Sequence, residues 1–200
     1  MASPKKHLGQ HWLKDRLILE AIADSISISP EDTVLEIGPG PGTLTEELVA
    51  SAKAVVAVEF DEALARELPE RVRADNLQVV RQDILKFDTT TLPVGYKVVA
   101  NIPYYLTSNL LRVLCESSNP FSKAAILVQR EVAERVCARP GDMSLLSVSV
   151  QYYCETELGM IVPARLFTPP PKVDSRILGL TFREQPLFPE TSGRDFFHIV

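Results

Sequence analysis

Short apolar, β-branched runs alternate along this chain with stretches of helical period, and that alternation leaves few folds open. Thr33 to Ile37 is such a run and ends in glycines; Lys53 to Glu59, Leu77 to Arg81, Lys97 to Ala100 and Ala124 to Val128 repeat it. Runs this short and continuous read as strands buried on both faces. Between them, Thr43 to Ala50, Asp61 to Arg73, Ser108 to Cys115 and Glu131 to Ala138 read as helices, the first opened by a predicted capping box of Thr43 with Glu46. Strands that alternate with helices form βαβ units with right-handed crossovers and a parallel sheet. Glu157 to Val162 and Arg176 to Phe182 then follow with no helix predicted between them, only Pro163 and Pro169-Pro170-Pro171. They are expected to form an antiparallel pair at one edge. The fold class is therefore α/β, a mostly parallel sheet with helices on both faces.

At 200 residues one main domain is expected. No apolar run approaches the roughly 18 residues of a membrane span, and the first fifteen residues lack the apolar core of a signal peptide. Cys115, Cys137 and Cys154 form no CxxC pair and are odd in number, which points to a reducing cytoplasm. They share no ligand spacing with His7, His11 and His198, so no metal is expected. The net charge of −5 argues at first against a nucleic-acid partner. By region, however, residues 1–30 carry +1, 31–91 carry −7 and 92–200 carry +1. The acidity belongs to the segment that holds the glycine cluster.

That cluster, Glu36-Ile-Gly38-Pro-Gly40-Pro-Gly42, stands at a strand-to-helix turn, where open α/β sheets bind ligands. A dinucleotide fingerprint would require glycine at position 43, which is Thr43, and Pro39 and Pro41 remove two N–H groups that would cradle a pyrophosphate. Acids recur instead at successive strand ends: Glu36, Glu59, Asp61 and Asp83. A carboxylate-rimmed pocket suits a cationic ligand with a ribose, as S-adenosylmethionine is, and repels phosphate. Glu59 is placed to accept the ribose hydroxyls and Asp83 the adenine amine, with Ile84 packing on the ring.

Asn101-Ile102-Pro103-Tyr104 follows the fourth strand at the same crevice. An exocyclic adenine amine is a poor nucleophile because its lone pair is delocalised into the ring. Two acceptors aimed at its N–H bonds, the Asn101 side-chain carbonyl and the Ile102 backbone carbonyl, would hold the nitrogen in line with a methyl group and favour its pyramidal form. Pro103 fixes the turn and Tyr104 can stack on a base held out of its helix. No general base is required, since the methylated amine loses its proton readily to water.

At this point the sequence resembles the small-subunit ribosomal RNA adenine N6,N6-dimethyltransferases. The resembling segments are Leu8 to Leu13, Glu36 to Gly40, Gln82 to Ile84, Asn101 to Tyr104, Gln129 to Ala133, Ser147 to Cys154 and, most specific, Phe167-Thr-Pro-Pro-Pro-Lys-Val-Asp-Ser175. The resemblance implies a Rossmann-like methyltransferase fold with a seven-stranded sheet. It also implies transfer of four methyls from S-adenosylmethionine to two adjacent adenines in a stem-loop near the 3′ end of small-subunit RNA. It marks Gln10, His11, Leu13, Glu36, Gly38, Gly40, Glu59, Phe60, Asp83, Ile84 and Asn101 as cofactor contacts, and Phe167 as the aromatic opposite Tyr104 on the flipped adenine; a core role is the alternative for Phe167. Trp12 reads as core or as a lid anchor. His11 departs from the family's usual Asn, an amide contact that imidazole can replace in part. By the same resemblance residues 1–30 are a basic segment and helix closing the cofactor site, 31–185 the catalytic domain, and 186–200 a linker and the start of a helical domain cut short.

RNA is then expected on local basic patches: Lys5, Lys6, Lys14, Arg16, Arg112, Arg135, Arg139 and Lys172. The partner would be small-subunit RNA in a 30S pre-ribosomal particle, and the protein a monomer. Two other readings share parts of this pattern. One is a large-subunit RNA adenine methyltransferase of the antibiotic-resistance type, against which the Phe167–Ser175 block argues. The other is a non-catalytic assembly or transcription factor, against which Asn101, Tyr104, Glu59 and Asp83 argue. DNA adenine methylation is disfavoured by the lack of a separate target-reading domain.

Overall fold

A computed structural model describes Pro4, Lys5, residues 8–188 and Glu190. Lys6, His7, His198 and the expected helix start after Asp195 lie outside the described residues.

The five apolar runs become parallel strands: β2 (Thr33–Ile37), β3 (Ala54–Glu59), β4 (Leu77–Arg81), β5 (Lys97–Ala100) and β6 (Lys123–Gln129), after a two-residue β1 (Trp12–Leu13). Helices α1 (Arg16–Ser25), α2 (Thr43–Ser51), α3 (Glu62–Arg71), α4 (Thr107–Cys115), α5 (Arg130–Val136) and α6 (Leu145–Tyr153) cover them. Strand β7 (Cys154–Val162), a two-residue β8 (Phe167–Thr168) and β9 (Ser175–Phe182) complete the chain. The seven-stranded sheet runs β4-β3-β2-β5-β6-β9-β7, with β9 antiparallel to both its neighbours. This is the expected antiparallel pair, with β7 as the edge. Continuous apolar runs rather than alternation result because helices bury both sheet faces: Val34, Leu35, Val55, Val98 and Val99 are all but inaccessible. One core cluster lies around Leu35, Tyr96, Leu110 and Phe121, and a second, around Leu19, Ile22, Leu48 and Val55, seats α1 and α2.

Strand order reverses at β2, since β3 and β4 lie on one side of it and β5 and β6 on the other. A crevice opens where two such halves diverge at the carboxyl ends of β2 and β5. The register Glu36–Val99 and Ile37–Ala100 makes the glycine loop and the Asn101 turn leave the sheet side by side.

The predicted capping box at Thr43 does not form. Gly42 is the N-cap of α2 in a left-handed conformation (φ +89°), and Thr43, the first helical residue, donates its hydroxyl to the Leu13 carbonyl at 3.0 Å. The tight turn requires that φ, and a Cβ at Gly42 would stand 2.6 Å from Leu68 Cδ1, itself buried. Thr43 thus ties β1 to the glycine loop instead of capping its own helix. G42A combines strain with this clash and is expected to cost about 2 kcal/mol, lowering Tm by roughly 5 °C in a thermal melt.

Helix α6 and the β1–β8 ribbon are absent from the sequence reading. The ribbon pairs Trp12 with Thr168 and Leu13 with Phe167, a contact far too distant in sequence for local patterning to reveal. Helix α6 had one local signal: Ser144 and Ser147 form a reciprocal capping box at its start.

Candidate active site

One cavity lies at the carboxyl ends of β2, β3, β4 and β5. Its wall includes Gln10, His11, Leu13, Glu36, Gly38, Gly40, Glu59, Phe60, Asp83, Ile84, Asn101, Ile102, Pro103 and Tyr104. All the expected cofactor contacts and the whole Asn101–Tyr104 turn therefore converge on a single space. Trp12, Thr43, Gln82 and Tyr105 join them.

Packing at the floor is tight. Gly38 has φ +70°, its N–H donates to the Val58 carbonyl at 3.0 Å, and a Cβ there would sit 3.3 Å from the Asn101 carbonyl oxygen. Only a glycine lets the donor loop and the Asn101 turn approach this closely. Gly40 is required for its backbone instead: its φ is +56°, and a Cβ there would meet the Trp12 indole nitrogen at an ordinary contact distance of 3.5 Å. Trp12 is a buried ring that lies against this loop and lines the cavity.

The acids divide by role. Glu59 is held at both oxygens: Gly40 N–H donates to one at 3.1 Å and Asp61 N–H to the other at 2.8 Å. Burial raises its pKa, and those backbone donors oppose the rise. Asp83 accepts from Leu85 N–H through one oxygen at 3.0 Å. Glu36 is fully buried, and burial pushes its pKa up to about 8; the Thr45 hydroxyl opposes the shift and the Glu59 carboxylate adds to it. Its Oε2, like the Trp12 indole N–H, is buried without a hydrogen-bond partner among the described residues. Asp61 does not face the cavity: it caps α3 and pairs with Lys5 Nζ at 2.6 Å.

Tyr104 donates to or accepts from the Ser175 hydroxyl at 2.7 Å, and burial holds its phenol above the usual range. Ser175, last residue of the Phe167–Ser175 block, is fully buried and was not singled out from sequence. Phe167 is not on the cavity wall. It is 3% exposed and packs in the second core cluster with Leu13, Leu19 and Ile177. The ring parallel to Tyr104 is that of His11, at a centroid separation of 5.9 Å and 16°.

Of the basic residues expected to face RNA, Lys5 is taken by Asp61, Arg16 pairs with Glu20 and Glu47, and Arg135 pairs with Glu131. Lys14, Arg112, Arg139 and Lys172 are exposed and form no ion pair among the described residues. Among these residues no group of His, Cys, Asp and Glu is arranged to hold a metal ion, and no helix is long and apolar enough to cross a membrane.

A doubly wound sheet with an acid-lined crevice at its reversal point, poor in phosphate-binding N–H groups, defines an S-adenosylmethionine-dependent methyltransferase fold. The residues present fit that donor, since Glu36 and Glu59 offer buried carboxylate to a cation and Gly38 and Gly40 clear the floor. The chain belongs to the ribosomal RNA adenine dimethylase family, whose model matches residues 1–200. It is 45% identical over 208 residues to ribosomal RNA small subunit methyltransferase A of Streptococcus equi subsp. zooepidemicus, covering 98% of this chain and 71% of that protein. Among solved structures it resembles a dimethyladenosine transferase from Plasmodium falciparum at 35% identity and a TM-score of 0.80, over 87% of this chain and 64% of that one. The 23S rRNA methyltransferase ErmE is as similar, with 36% identity, a TM-score of 0.80, and coverage of 88% and 71%.

Proposed function

We propose that this protein dimethylates N6 of two adjacent adenines in a stem-loop near the 3′ end of small-subunit ribosomal RNA. It would act on a 30S pre-ribosomal particle, as a monomer, in the cytoplasm. The observation that carries the reading is the juxtaposition at the β2–β5 reversal: the Asn101–Tyr104 turn shares one cavity wall with the acid-lined donor loop.

S-adenosylmethionine supplies an electrophilic methyl on a sulfonium. Glu59 and Asp83 would accept from its ribose and adenine, Ile84 and Phe60 line the same cavity and would pack on it, and Glu36 would supply a buried countercharge. The Asn101 side-chain carbonyl and the Ile102 backbone carbonyl accept the two N–H bonds of the adenine amine. That draws its lone pair out of conjugation and orients it. Pro103 keeps a competing donor out of the turn. After transfer the nitrogen carries the excess proton, which leaves to water; the monomethylated amine keeps one N–H, which one of the two carbonyls accepts while the second methyl is added. Residues 1–30 act as the closing segment of the donor site and 31–185 as the catalytic unit. The exposed Lys14, Arg112, Arg139 and Lys172, with Lys6, provide phosphate contacts.

The fold does not separate this reading from large-subunit methylation, because both kinds of relative superpose equally well. The Phe167–Ser175 block and the name of the 45%-identical relative favour the small subunit. Incubation with undermethylated 30S and 50S particles and labelled donor is expected to place label in 30S adenines. Label confined to large-subunit RNA would overturn the choice.

A further inference from the structure

Tyr104 is a half-buried residue that opens the short helical turn Tyr104–Leu106 after the Asn101 motif. The backbone of such a turn does not by itself choose among the staggered side-chain wells, so the direction of the ring depends on what its far end touches. There the phenol oxygen lies 2.7 Å from Ser175 Oγ, and one hydroxyl donates to the other.

Ser175 is a fixed point. It is fully buried, begins β9, and pairs with Gln129 of β6 on one side and Val162 of β7 on the other. The residue before it is held as firmly: the Asp174 carbonyl accepts from Arg130 N–H at 3.0 Å, and the Asp174 carboxylate accepts from Ala164 N–H at 2.8 Å. The order β5-β6-β9 puts Ser175 two strands away from the one that the Asn101 turn leaves. The phenol thus ties the turn to a part of the sheet that shares no ladder with β5. Ser175 itself does not line the cavity, and a buried hydroxyl is unfavourable unless it is used.

We propose that Ser175 is a positioning residue, whose hydroxyl sets the direction of the Tyr104 ring and through it the orientation of the adenine presented to the Asn101 and Ile102 carbonyls. This rests on the base methylation proposed above. The Phe167–Ser175 block then acts on the reaction through its last residue, from outside the cavity. Without the tie the ring still offers a face to a base, so the particle still binds. What is lost is the alignment of the amine with the methyl group, to which an in-line displacement is sensitive.

The test uses the full chain, undermethylated 30S particles and S-adenosylmethionine. S175A is expected to lower kcat about 3- to 10-fold, the effect of one hydrogen bond, with KM for 30S and the donor Kd by calorimetry each within about 2-fold of wild type. Y104F removes the same bond from its other end and is expected to lower kcat by a similar factor. The double variant S175A/Y104F loses that one bond only once and strands neither hydroxyl, so it is expected to be no slower than the slower single variant. Wild-type kcat in S175A, effects that multiply in the double variant, or a loss carried by KM or by donor Kd would each overturn the tie. Should S175A fail to fold, Y104F decides alone: a fall in kcat at unchanged KM supports the tie, and wild-type kcat overturns it. If the wild-type protein transfers no methyl to adenine, it is the proposed function that fails; if it does and the variants depart from these outcomes, the tie alone fails.

Discussion

Replacing Asn101 with Ala is expected to lower the rate of methyl transfer by about 10²- to 10³-fold while leaving RNA binding unchanged. The magnitude follows from what is removed. Of the two acceptors for the adenine amine, the Asn101 side chain is lost and the Ile102 carbonyl stays. Deleting one preorganised polar group aimed at the reacting atom typically has an effect of this size. The backbone at position 101 cannot collapse into the gap, because its N–H is bonded to the Ile37 carbonyl and its carbonyl abuts Gly38. Single-turnover transfer to 30S particles, run beside filter binding of the same RNA, separates the two effects. Unchanged transfer would refute the assigned role. N101D keeps an acceptor oxygen but adds charge in an acid-lined crevice, so it is expected to fall between wild type and N101A.

Much of this site was legible in the sequence because its residues sit where strands end, and the strands themselves were legible. Burial on both faces makes β2, β3 and β6 continuous apolar runs, and the loop residues that follow each one land at the same sheet edge by topology alone. Gly38, Glu59, Asp83 and Asn101 are all of this kind. What stayed hidden depends on pairing across the chain. Lys5 read as an RNA contact until Asp61 was found beside it. Thr43 read as a helix cap, although the neighbouring Gly42 was the residue that the turn required. Phe167 read as a base-stacking ring, and only its register opposite Leu13 sends it inward. Helix α6 failed for another reason: Leu-Leu-Ser-Val-Ser-Val-Gln-Tyr-Tyr mixes strand-favouring residues with no clean period, and its packing on α4 and α5 overrides that preference.

Glu36 should make donor binding pH-dependent and the donor-free fold weaker in alkali. Its folded pKa of about 8 stands above the ordinary 4.5, with burial the main cause. For a group raised on folding, the stability it contributes is fully present below the unfolded pKa and is lost as pH rises through the folded one. The loss therefore spans pH 4.5 to 8. It amounts to on the order of 4 kcal/mol at its end, with relaxation of the pocket reducing it. E36Q removes the titration, so its Tm is expected to exceed that of wild type by roughly 5–10 °C at pH 8.5 and to converge with it near pH 5. A cationic donor reverses the preference. It favours the ionised carboxylate, which at pH 6 is only about 1% populated for a pKa of 8, so apparent affinity should rise roughly 50-fold between pH 6 and 8. The donor's own ammonium titrates in both proteins and cancels when wild type is divided by E36Q. Calorimetry in two buffers of different ionisation enthalpy should show wild type releasing close to one more proton than E36Q on binding at pH 7. Equal proton release, or an E36Q variant that is less stable than wild type at pH 8.5, would show that Glu36 is not the buried acid that trades fold stability for a bound cation.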